Sequence, residues 1–142
     1  MATRHLSRII VMQSLYEWEF HHYPKDKALE IFNRNLEEFG QDIDEPDFGR
    51  ELIKGVMDNL EKIDNILEQS IKSLPYNQVP LLEKNILRLA TYEFLRNDPP
   101  VPHKVVINEA VELAKNFGTK ATAKFINGVL ATVYENILSK TK

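Results

Sequence analysis

Apolar residues recur three and four positions apart along almost the whole chain, and no stretch alternates apolar with polar long enough to suggest a strand. The pattern predicts six or seven helices. The first covers residues 3–22 and stops ahead of Tyr23-Pro24, because a residue preceding proline avoids the helical region. The second covers 25–39, carries Ala28, Leu29, Ile31, Phe32, Leu36 and Phe39, and ends at Gly40, read as a left-handed cap. Beyond an acidic linker at 41–46, Asp47 is placed to cap a long segment reaching about residue 73. Its Phe48, Leu52, Ile53, Val56, Leu60, Ile63, Leu67 and Ile71 keep helical spacing. Asp58-Asn59 is its weakest point by propensity, so one long helix and two consecutive ones fit equally.

Pro75 and Pro80 bracket a connector, and residues 81–96 form the next helix, ended by the proline-rich run 98–102. A helix over 105–117 closes at Gly118, and Thr119 is placed to cap the last one, 120–139, by accepting from an orphan amide. These elements predict an all-α fold: one compact domain over 1–142, made of two small helical sub-bundles at roughly 1–74 and 81–142. The first helix is apolar on two sides, Leu6, Ile9, Ile10, Tyr16 and Phe20 on one and Val11, Leu15 and Trp18 nearly opposite. Two apolar faces place it between the sub-bundles. Gln13 falls within the first face, where its amide either finds partners in the core or contacts a nucleobase.

A hydrophobic content of 43% supplies a real core and excludes disorder, while the absence of cysteine excludes disulfides, thiolate zinc sites and a cysteine nucleophile. No apolar run is long enough to span a bilayer, and Met1 to Arg8 shows no secretory apolar region, so the expected location is cytoplasmic. The net charge of -3 is unevenly spread: residues 1–69 carry -7 and residues 70–142 carry +4. An anion site should therefore draw on the second half.

His5, His21, His22 and His103 have no metal-ligand spacing, and the five glycines form no phosphate-binding loop, so neither metal nor cofactor is expected. The close carboxylates, such as Glu17 and Glu19, sit in polar settings, and no nucleophile lies beside an oriented base. Catalytic residues are not expected. What remains is cationic. Arg4 and Arg8 project on one side of the first helix beside His5, a pattern that serves phosphates and bases or marks two solvated arginines. Lys120, Lys124 and Asn127 share a polar stripe of the last helix, opposite Phe125, Ile126, Val129, Leu130 and Val133. Lysines in the first turns gain nothing from the helix dipole, whereas an anionic partner there would meet both the lysines and the amides near Thr119.

Four ordered blocks then carry a resemblance across nearly the full chain. They are Gln13-Ser14-Leu15-Tyr16, Glu83-Lys84-Asn85-Ile86-Leu87-Arg88-Leu89-Ala90-Thr91-Tyr92-Glu93, Val105 to Lys115 with Phe117-Gly118, and Lys124-Phe125-Ile126-Asn127-Gly128-Val129-Leu130. Together they resemble the NusB family of bacterial transcription antitermination factors. The resemblance implies two small helical bundles and no catalysis. It implies pairing with the small-subunit ribosomal protein known in this role as NusE, and binding of the pair to boxA RNA in nascent transcripts. The complex joins the RNA polymerase antitermination machinery, notably on ribosomal RNA operons. A homodimer is a further state known in the family.

By position, the family's arginine-rich start matches Arg4, His5 and Arg8, poorer in arginine here, and its second RNA surface matches residues 119–127. The expected RNA contacts are Arg4, His5, Arg8, Tyr16, Lys120, Lys124, Phe125 and Asn127, with phosphates on the cations and bases on the rings. Glu83 is the candidate for the ribosomal-protein face, or else a carboxylate favoured by its helix dipole. Arg88, Tyr92, Glu93, Asn108 and Glu109 are read as structural, and Asn127 as packing or RNA contact. Two other readings stand beside this one: a helical protein adaptor without selective RNA binding, and the accessory domain that precedes RNA cytosine methyltransferases in NusB-like chains. The sequence shows no doubly wound nucleotide-binding fold.

Overall fold

The computed structural model describes residues 2–96 and 101–141. Among them the chain forms seven α-helices: α1 (Ala2–Phe20), α2 (Lys27–Phe39), α3 (Pro46–Asp58), α4 (Leu60–Ser70), α5 (Leu81–Leu95), α6 (His103–Phe117) and α7 (Lys120–Thr141), with a 3-10 turn at Tyr76–Gln78. The weak point at Asp58-Asn59 is a real break, so the long third segment is two helices. It is also where the chain divides, into Met1–Asp58 and Asn59–Lys142. The proline connector was the expected boundary, near 74–81. It is not, because α4 packs against α5 and α7 and so belongs with the second half.

In the first unit α1 packs on α2 and α3, which also pack on each other. Val11, Leu15 and Trp18 are buried, as are Phe32 of α2 and Leu52, Ile53 and Val56 of α3. The opposite apolar face of α1 is not enclosed as its composition suggested: Ile10 is buried, Leu6 and Ile9 are half-buried, and Gln13, Tyr16 and Phe20 are exposed. A buried polar brace fixes α1 against α2. The Asn35 amide donates to Ser14 Oγ at 3.0 Å, whose hydroxyl donates back to the Ile10 carbonyl at 2.7 Å.

Several ends differ from the sequence reading for local reasons. Helix α3 begins at Pro46, whose fixed φ suits a first helical position, so Asp47 lies inside the first turn and pairs with Arg50 at 2.9 Å instead of capping. Gly40 ends α2 with φ -109, not left-handed; a Cβ there would meet Leu36 Cδ1 at 2.8 Å and the Leu36 carbonyl oxygen at 2.9 Å. The left-handed cap belongs to α1. His22 has φ 56, its amide donates to the Glu19 carbonyl, and the Tyr23 amide reaches back to the Trp18 carbonyl, which is the Schellman pattern. The indole N–H of Trp18 donates to the Pro24 carbonyl at 3.1 Å and closes the same turn. Most of the proline run expected to end α5 lies in residues 97–100, outside the described residues; the helix stops at Leu95.

In the second unit α5 packs on α4, α6 and α7. It is the enclosed helix. Every residue from Asn85 to Thr91 is buried although three of the seven are polar. Arg88 and Asn85 are paired, while the Thr91 hydroxyl has no partner among the described residues: the Arg88 Nε and Nη2 donate to the two carboxylate oxygens of Asp64 on α4 at 2.8 and 3.2 Å, and Nη1 donates to Asn85 Oδ1 at 3.0 Å. The Tyr76 hydroxyl donates to the same carboxylate, and burial pushes that phenol well above its ordinary value, so it stays a donor. The network thus ties the connector to α4 and α5.

Candidate nucleic-acid interface

The two cationic segments lie in different units. At the start of α1, Arg4 is half-exposed and its Nη2 donates to Glu45 Oε2 at 3.0 Å, while its guanidinium lies 4.3 Å from the centroid of the Phe48 ring. Arg8, one turn on, lies 5.1 Å from the same centroid and is only 4% exposed. The i, i+4 spacing that suggested a phosphate-binding pair instead lets both arginines cover one ring of α3. Arg8 is therefore corrected from an RNA contact to a packing residue, because a phosphate cannot reach a buried guanidinium. His5 is half-buried beside them. Gln13 and Tyr16 lie out in solvent on α1, which removes the core reading of Gln13.

The start of α7 is built by a reciprocal cap. The Thr122 amide donates to Thr119 Oγ1 at 3.2 Å and the Thr119 amide to Thr122 Oγ1 at 3.1 Å, so threonine fills the place that Glu or Gln takes in a capping box. Gly118 is required next to it, since a Cβ there would stand 2.7 Å from Thr122 Oγ1. The cap uses two amides and leaves those of Lys120 and Ala121 at the positive end of the helix. Along the same surface Lys120, Lys124 and Asn127 are all exposed, while Ala123, Ile126, Val129, Leu130 and Val133 are buried behind them. Asn127 thus sides with the lysines and not with the packing. Phe125 is half-buried.

Glu83 sits half-buried in the first turn of α5. Of the residues read as structural, Arg88 and Glu93 are buried and Tyr92 and Glu109 half-buried, but Asn108 is exposed and has no core to brace. Sequence reasoning passed over Phe20, His21 and Tyr23, whose rings continue from Tyr16. The dense aromatic run from Tyr16 to Tyr23 was the available signal. Among the described residues no group of His, Asp and Glu could hold a metal ion, and no helix is long and apolar enough to cross a membrane.

Exposed lysines beside a capped helix start, and exposed rings on a second helix, give a small all-helical protein the surface chemistry of a binding protein. Comparison with known proteins supplies the family. The sequence profile of the NusB family matches residues 5–135, and the chain belongs to that family. The transcription antitermination protein NusB of Chloroflexus aggregans is 37% identical over 98% of this chain and 91% of its own. Among solved structures, NusB of T. maritima is 31% identical, with a TM-score of 0.81 over 93% of this chain and 90% of its own. A NusB solved with NusE and double-stranded RNA is 26% identical, with a TM-score of 0.83 over 96% and 98% of the two chains. These relatives are antitermination factors and not enzymes.

Proposed function

We propose that this protein is a cytoplasmic antitermination factor that binds boxA-type single-stranded RNA in nascent transcripts, notably of ribosomal RNA operons, together with the ribosomal protein NusE. In that complex it helps RNA polymerase read through terminators. The observation that carries the reading is the start of α7 in a member of this family: Lys120, Lys124 and Asn127 exposed on one stripe beside a capped N-terminus. Lysine charges there take phosphates, the remaining amides add their dipoles, and Asn127 supplies a donor and acceptor for a base edge. Arg4 is a second phosphate ligand in the other unit, once it exchanges Glu45 for RNA; an exposed pair of that kind is worth about 0–1 kcal/mol and yields readily. Tyr16 is exposed and free to stack on a base. Glu83, an acid at the start of α5, faces the basic ribosomal partner in this reading.

The test is binding to a boxA RNA and to a scrambled RNA of equal length, with and without NusE. Selective binding strengthened by NusE is the expected result. NusE binding with no preference between the two RNAs would refute it in favour of a protein adaptor.

A further inference from the structure

Among the described residues of the first unit the large apolar side chains left exposed are Tyr16, Phe20, Tyr23 and Phe39, every one a ring. Three of them, with His21, form a continuous ladder. Tyr16 and Phe20 lie nearly parallel with centroids 6.3 Å apart, Phe20 and His21 meet edge to face at 5.1 Å, and His21 and Tyr23 follow at 5.2 Å. The ladder is held by a non-glycine residue in a costly conformation: His22, at φ 56, turns the chain so that Tyr23 folds back on His21. Phe20 is 58% exposed, so these contacts leave ring surface open to solvent.

We infer that the ladder Tyr16–Phe20–His21–Tyr23 is a stacking surface for the bases of single-stranded RNA running beyond the recognised element. The inference rests on the RNA reading above and adds three residues to it. Among the described residues of this unit no large aliphatic side chain is exposed, whereas stacking on bases requires rings and tolerates any base. The ladder also continues an exposed stripe of α1, through Gln13, whose amide can meet a base edge. The ladder carries no lysine or arginine, and Arg34 nearby donates to Glu17, so the ladder acts through ring faces and not through phosphate attraction. Its contribution should be insensitive to salt.

The experiment compares boxA RNA with and without single-stranded flanks on either side, binding to the full chain and to Phe20→Ala, Phe20→Leu, Phe20→Trp and Tyr23→Ala at two salt concentrations. One flank should tighten binding by the full chain. Phe20→Ala, Phe20→Leu and Tyr23→Ala should each remove about fivefold or more of that gain with an unchanged salt slope, and Phe20→Trp should keep it. Helical content and thermal midpoint confirm that each variant folds. Full binding of the flanked RNA by Phe20→Leu would overturn stacking, because the leucine keeps apolar bulk without a ring. Loss of self-association in Phe20→Ala, with RNA binding intact, would mean that the face meets a second copy instead. No selective binding of boxA by the unmodified chain would instead sink the RNA reading itself, and the inference with it.

Discussion

Arg88→Met is the sharpest test of the division between packing and binding residues. The side chain is 5% exposed and holds Asp64 through two hydrogen bonds and Asn85 through a third. Methionine keeps much of the volume but removes the charge and the donors of all three of these bonds. Removing one partner of a fully buried pair costs about 3–5 kcal/mol. That range is too high here, because Asp64 is 27% exposed and can be rehydrated, and it still accepts from Tyr76. Asn85, fully buried, loses the Arg88 donor to its carbonyl oxygen, a penalty of about 1–3 kcal/mol. We expect a loss of about 2–4 kcal/mol, a large part of the ~5–15 kcal/mol that holds a domain together. Urea unfolding followed by circular dichroism should show a lower midpoint with an unchanged slope. In a double-mutant cycle with Asp64→Asn the two changes should be coupled by about 1 kcal/mol or more. RNA affinity measured well below the unfolding transition should stay within about twofold of the unmodified chain, a difference of ~0.4 kcal/mol. A stability loss below ~1 kcal/mol, or lost RNA binding in a stably folded variant, would refute the assignment.

Three further outcomes follow from the same geometry. With Arg8 buried, the proposed phosphate ligands are Arg4, Lys120 and Lys124, so log K should fall with log salt at a slope of roughly -2; Lys124→Gln should flatten it by about 0.7, whereas Arg8→Ala should lower stability and leave the slope alone. Burial holds the Tyr76 phenol above its ordinary value of 10.0, so the folded state keeps the proton longer than the unfolded chain, and that contribution is complete below pH ~10 and lost as pH rises beyond it. Tyr76→Phe should cost about 1–2 kcal/mol at neutral pH through the lost bond to Asp64 and weaken the alkaline decline, as urea midpoints across pH would show; an equally steep decline would contradict it. His22→Gly should raise the thermal midpoint by the equivalent of about 0.5 kcal/mol, as relief of the left-handed penalty exceeds glycine's extra chain entropy, and a drop of that size would show that the turn is unstrained.

What the sequence determined by itself was local. Helix spacing, the break at Asp58-Asn59, the Thr119 cap and the polar stripe of Lys120, Lys124 and Asn127 all depend on residues within a turn or two of one another. The family, too, was legible, because its blocks are runs of adjacent residues. Tertiary structure decided whatever depends on a distant partner. Whether Arg8 meets phosphate or ring is settled by Phe48, which α3 brings under α1 from forty residues away. The same holds for which of the two apolar faces of α1 is covered: α2 and α3 pack on it while Gln13, Tyr16 and Phe20 stay in water. Arg88 and Asp64 are 24 positions apart and become a pair only when α4 lies against α5. A helical wheel states which residues share a face; only packing states what that face meets, and burial, charge pairing and accessibility to RNA all follow from that second fact.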